Sequence, residues 1–135
     1  LYDTILVEDA YSESSYAKTQ NGNESNIISA NPELLARLEE ISKEIGIPVI
    51  KSRVHSSDVF YRANFEEYKA IRDEFGCTCV EMEAFAIFHN ANVLGKKAAC
   101  LLTISDNLET QALTTAEERQ SAFTDMMKIA LELAE

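Results

Sequence analysis

The sequence predicts an α/β layer architecture, and three observations carry that reading. Short apolar, β-branched runs alternate along the chain with segments whose apolar residues recur at helical spacing. The helical segments carry start and stop signals: Asn31-Pro32, Gly46, Gly76, Gly95 and the pair Thr115/Glu118. The length of 135 residues, with 46% hydrophobic side chains, suits one domain over residues 1–135. A chain of that size buries roughly two thirds of its unfolded surface.

Each element follows from local chemistry. Thr4 to Ala10 (TILVEDA) is an apolar run ending in acids and predicts a buried strand. Tyr11 to Ser29 is rich in Ser, Asn and Gln, has the turn signal Asn21-Gly22, and predicts a long loop. Asn31 then offers an N-cap and Pro32 a first helical residue. Leu34, Leu35, Leu38, Ile41 and Ile45 follow at helical spacing, and Gly46 closes that helix. Pro48 to Val54 reads as the next strand and His55 to Ala63 as a loop. Phe65, Tyr68, Ile71 and Phe75 predict a helix from about Asn64 to Gly76.

Cys77 to Met82 predicts a strand with both cysteines on one face. Ala84 to Leu94 predicts a helix stopped by Gly95, and Lys97 to Ile104, containing AACLLTI, another buried strand. Thr115 with Glu118 makes a capping box for one final helix holding Phe123, Met126, Met127, Ile129, Ala130 and Leu133. No internal repeat is visible.

Charge narrows the function. Twelve basic against 23 acidic residues give a net charge of −11, with no basic run. A phosphate-backbone footprint is therefore missing, as is a polybasic attachment to anionic lipid, which argues against nucleic-acid and membrane partners. No apolar stretch approaches the 18 or so residues of a membrane span. Cys77, Cys79 and Cys100 cannot all pair, Cys77-Thr78-Cys79 lacks zinc spacing, and no signal-peptide pattern opens the chain. These features fit a reducing, cytoplasmic setting.

In α/β sheets chemistry gathers at strand ends, here Ser57–Tyr61, Val80–Glu83 and Ser105–Asn107. Alternation places Glu81 and Glu83 so that one can face a site while the other supports the chain. The pair fits a glycosidase-like couple, a clamp on sugar hydroxyls, or plain solvent exposure. Asp106 at the mouth of an apolar strand fits a proton donor or a turn-forming Asp. Arg119, thirteen residues later, can reach it or face solvent. Phe60-Tyr61 offers a flat face for a planar ring, or core packing.

Four motifs occur in order: Ser57-Asp58-Val59-Phe60-Tyr61, Val80-Glu81-Met82-Glu83-Ala84, Thr103-Ile104-Ser105-Asp106, and Thr114-Thr115-Ala116-Glu117-Glu118-Arg119-Gln120. Together with the closing Asp125-Met126-Met127-Lys128-Ile129-Ala130-Leu131-Glu132, they resemble the bacterial-type, hexameric purine nucleoside phosphorylases. The resemblance runs from about Ser56 to the end. It implies a mixed sheet flanked by helices, the C-terminal portion of a nucleoside phosphorylase-like three-layer fold.

It also implies phosphorolysis of a purine ribonucleoside or deoxyribonucleoside, with inorganic phosphate as co-substrate and neither metal nor organic cofactor. Asp106 would protonate purine N7, and Arg119 would approach it as the site closes. Phe60 would stack on the base beside Ser105, and Glu81, Met82 and Glu83 would contact the sugar, Glu83 through its carboxylate. A homohexamer is the implied assembly.

The sequence departs from that family in places. Nothing in Leu1–Ser29 resembles its glycine-rich phosphate site, and residue 1 is Leu. The expectation is a C-terminal half that carries the nucleoside side and needs a complementing N-terminal half. Asn107 and the loop Leu108–Leu113 replace a histidine-bearing version, which leaves base preference open. Two other readings stand beside this one: a methylthioadenosine or adenosylhomocysteine nucleosidase, which uses water, and a non-catalytic nucleoside-binding module.

Overall fold

The computed structural model describes residues 1–134. Its centre is β1 (Thr4–Tyr11), paired in parallel along one edge with β3 (Ile50–Ser56). On the other edge two short strands follow one another, both antiparallel. Of these, β5 (Leu101–Thr103) pairs Thr4–Leu6 and β2 (Ile27–Ser29) pairs Asp9–Tyr11. Finally β4 (Cys79–Glu81) extends the sheet in parallel beyond β3. The sheet is mixed, as expected. The β1–β3 register shifts between Val7 and Asp9, and a fork from Arg53 to Asp9 at 2.7 and 2.9 Å holds the strands just past that bulge.

Both faces of β1 are covered, which explains why Thr4–Val7 reads as an unbroken buried run. Leu6 points to one layer with Leu38 and Ile41 of α2 (Pro32–Glu44) and Ile129 of α6 (Asp125–Ala134). Ile5 and Val7 point to the other, with Phe85 and Phe88 of α4 (Ala84–Val93). Along the β5 segment Leu101 joins the first cluster, and Cys100 and Leu102 the second. Truncating Leu6 or Phe88, both fully buried, would cost about 3–5 kcal/mol.

Start and stop signals for α2 hold. Asn31 Oδ1 accepts from the N–H groups of Glu33 and Leu34, both at 3.1 Å, and Gly46 lies at φ +70°. The helix α3 (Glu67–Phe75) ends at Gly76, φ +73°, whose N–H returns to Arg72 O. It begins later than the sequence suggests, because Asn64 Oδ1 captures the Glu66 N–H in a turn.

Four expectations are corrected. The segment Tyr11–Ser29 contains α1 (Tyr16–Asn21) and β2, elements too short to display a period, and Asn21-Gly22 ends α1. The final helix is two: α5 (Ala116–Ser121) and α6 separate where Phe123 turns inward to pack edge-on against Tyr2, centroids 5.5 Å apart. Cys77 and Cys79 do not share a face, since pairing begins only at Cys79. Cys77 packs with Tyr11 and Ile71, and Cys79 against the α4-side cluster. The Lys97–Ile104 run is half-buried at an edge, with ladder pairing over Leu101–Thr103 alone.

Candidate functional site

The carboxyl ends of the parallel strands β1, β3 and β4 meet, and a serine from each of the first two ties them together. Ser12 Oγ donates to the Ser56 carbonyl at 2.6 Å, and the Ser57 N–H donates to the Glu81 carbonyl at 2.8 Å. The Ser56 hydroxyl donates to Glu81 Oε1 and accepts the Phe85 N–H at 2.9 Å. Glu81 Oε2 accepts the N–H groups of Glu83 and Ala84 at 2.6 and 2.7 Å.

Both oxygens of Glu81 are therefore engaged, Oε1 by the Ser56 hydroxyl and Oε2 by the amino end of α4, where carboxylates are favoured by the unsatisfied N–H groups and the helix dipole. Glu83 is exposed and accepts one long bond, from the Met82 N–H at 3.3 Å, so its lone pairs remain open. Glu81 thus supports the chain, and Glu83 stands at the surface.

Between these strand ends and α1 lies a cavity of about 370 Å³ lined by Ser12, Ser14, Tyr16, Ser56, Asp58 and Met82. Of the sequence-predicted residues it includes Met82. Its serine hydroxyls were missed. The available signal was the Ser-rich run immediately following β1, the position where α/β sheets place ligands.

Phe60 lies on the loop after β3 with 75% of its surface exposed, edge-to-face with Tyr61 at 4.9 Å. It is a surface aromatic, and core packing does not explain it.

Asp106 and Arg119 are brought together, and the loop between them shows how. Asn107 Oδ1 accepts the Glu109 and Thr110 N–H groups at 3.0 Å each, and its own N–H bonds Ala112 O at 2.9 Å. Asp106 then bridges to Leu113, returning the chain to its starting point. Thr115 opens α5 with a complete capping box, and Arg119 follows one turn later on a side leaning back toward the N-cap. Its guanidinium donates to Asp106 Oδ1 at 3.2 Å, to Thr114 Oγ1 at 3.1 Å and to Thr114 O at 3.0 Å. Ser105 Oγ donates to Asp106 Oδ2 at 2.8 Å, so both carboxyl oxygens are engaged. The Asp106 side chain keeps 35% exposure. The pair forms without any closing movement.

The predicted residues thus fall into two groups. Because β5 runs antiparallel to β1, Asp106 leaves beside the amino end of β1, whereas Ser56 and Glu81 lie beside its carboxyl end. No hydrogen bond joins the groups among the described residues. Cys100, at the start of the β5 segment, lies on the Glu81 side: burial pushes its thiol up to about 12, and nearby Glu81, Cys79 and Glu83 add to the rise.

Comparison with known proteins gives consistent matches. The Phosphorylase superfamily model matches residues 3–135. Over 135 residues the chain is 39% identical to a DeoD-type purine nucleoside phosphorylase of Alkaliphilus metalliredigens, covering all of this chain and 58% of that protein. A Geobacillus stearothermophilus protein of the same description is 37% identical over 132 residues, 98% of this chain and 56% of its own length. The chain spans a little over half the length of these relatives.

Among solved structures, a Campylobacter jejuni 5′-methylthioadenosine/S-adenosyl homocysteine nucleosidase superposes with a TM-score of 0.82 at 17% identity, covering 100% of this chain and 62% of that one. Toxoplasma gondii purine nucleoside phosphorylase in complex with immucillin-H gives 0.76 at 19% identity, covering 96% and 54%. At such identities the likeness concerns the fold.

Proposed function

The chain belongs to the Phosphorylase superfamily, and on that premise we propose that it supplies the nucleoside side of a purine nucleoside phosphorylase. The observation that carries the reading is the Asp106–Arg119 pair at the mouth of β5, built by the Asn107 loop and the α5 capping box.

In the proposed reaction the C1′–N9 bond breaks and its electron pair passes to the purine. Asp106 gives a proton to N7, which neutralises the departing base. A phosphate oxygen forms the new bond to C1′, so the products are free base and pentose 1-phosphate. Arg119 stabilises the carboxylate left on Asp106. Glu83 accepts hydrogen bonds from the sugar hydroxyls beside Met82, while Glu81 fixes the frame from which Glu83 projects. Ser105 orients Asp106 and Phe60 stacks on the base. Because Asp106 leaves beside the amino end of β1 while Phe60 and Glu83 lie beside its carboxyl end, the scheme requires the complementing half to bring the two groups onto one nucleoside. Inorganic phosphate is the co-substrate of this scheme and no other group is required.

Complementing residues for phosphate are assigned to a further segment or subunit, in keeping with the share of the relatives that this chain spans. Exposed apolar side chains such as Ile87, Leu94 and Leu131 support assembly with another chain, a homohexamer among the options, in the cytoplasm. Among the described residues no helix is long and apolar enough to cross a membrane.

The test is release of hypoxanthine from inosine by the chain alone and mixed with a relative's N-terminal half, with and without phosphate. Release that requires phosphate and the complement supports the proposal. Release without phosphate overturns it in favour of a nucleosidase. Turnover by the chain alone removes the need for a complement.

A further inference from the structure

The loop that carries Phe60 is stapled at both ends by one side chain, Arg62. Its guanidinium donates to Ser57 Oγ at 2.8 Å where the loop leaves β3, to Glu67 Oε2 at 2.9 Å where α3 begins, and to Glu13 Oε1 just past β1. Glu13 is fixed in turn by His55, whose Nε2 lies 2.6 Å from Glu13 Oε2 and whose side chain is 4% exposed. Arg62 is itself 18% exposed, although its loop neighbours Phe60 and Tyr61 are 75% and 89% exposed.

An exposed aromatic on an untethered loop would lose conformational freedom on stacking, and that loss opposes binding. Here the tether orders the loop beforehand.

We propose that Arg62 is a positioning residue for Phe60, clamping the loop through Glu13, Ser57 and Glu67 so that the ring is presented as a preformed stacking surface for the purine. This rests on the nucleoside reading above. Arg62 touches no substrate in this arrangement and acts through the loop.

The experiment measures inosine binding by calorimetry and amide hydrogen exchange over residues 58–66, for the wild-type chain, Arg62→Ala, Arg62→Lys, Phe60→Leu and the double variant Phe60→Leu/Arg62→Ala. Arg62→Ala should raise the Kd about tenfold and speed exchange in the loop by a similar factor. Arg62→Lys, which keeps the charge but not the fork, should fall between it and wild type. Phe60→Leu should weaken binding without changing exchange. The double variant should bind no more weakly than the worse single one, because both act on one contact.

Additive losses, or unchanged affinity in Arg62→Ala, overturn the proposal. If Arg62→Ala does not fold, an unchanged Kd in Arg62→Lys does the same. A wild-type chain that binds no inosine overturns the nucleoside reading itself, whatever the exchange data show.

Discussion

Arg119 sits 3.2 Å from Asp106 Oδ1 and is moored by the same guanidinium to the hydroxyl and carbonyl of Thr114. Thirteen residues separate the pair, and a loop closed by the Asp106–Leu113 bridge removes that distance. In the proposed scheme the cation stands ready for the charge that appears when Asp106 releases its proton. Asp106→Asn should lower kcat for phosphorolysis of inosine about 10²- to 10⁴-fold with KM little changed. Arg119→Ala should cost about 10- to 100-fold, and Thr114→Val, which removes one mooring, less than that. Full activity in Asp106→Asn removes the donor role.

The neighbouring acids should separate by assay. Glu81→Gln weakens the charged cap on α4 and should lower unfolding stability by about 1–2 kcal/mol in urea titration. Glu83→Gln should stay within about 0.5 kcal/mol of wild type while raising KM for inosine roughly tenfold. Equal destabilisation by both would mean that Glu83 is structural too.

Phe60→Leu discriminates stacking from packing. With 75% of the residue exposed, its loss should move stability by no more than about 0.5 kcal/mol, and the effect should appear in nucleoside affinity. A large fall in melting temperature would place the ring in a core this structure does not have.

The thiols should be slow. Burial pushes Cys77 and Cys79 up to about 11 and Cys100 up to about 12, so little reactive thiolate exists at neutral pH. Alkylation by iodoacetamide at pH 7.5 should be at least about tenfold slower in the native chain than in guanidinium chloride. Rapid native labelling of any of the three contradicts its placement.

Acid should loosen the His55 site before the surface carboxylates respond. Burial lowers the His55 imidazole from its usual 6.5, and Glu81 and Glu67 offset this only in part. The unfolded chain therefore binds the proton more readily, and stability present above pH 6.5 is lost as the pH falls toward the folded value. The carboxylates held below 4.5, Glu39, Glu66 and Glu118, release their contributions only at lower pH. The urea midpoint should fall between pH 7.5 and 5.5, and His55→Gln should flatten that fall. An unchanged slope in His55→Gln assigns the dependence elsewhere.

The sequence alone determined whatever is local. A buried run at Thr4–Val7, the Asn31 cap, the Gly46 and Gly76 stops and the Thr115–Glu118 box each depend on residues within a turn or two of one another, so composition and period expose them. The order of the four motifs likewise pointed to Asp106 and Arg119 without coordinates.

Tertiary structure decided what depends on distant partners. Two three-residue strands exist only because β1 offers them an edge, and the closing helix breaks because Phe123 finds Tyr2 across 121 positions of sequence. Which of two adjacent acids is free depended on Ser56, 25 residues before Glu81. Strand direction, a property of the whole sheet, set Asp106 apart from Glu81. Periodicity can say that a side chain faces inward or outward, but the group it meets there is chosen by packing between segments far apart in the chain.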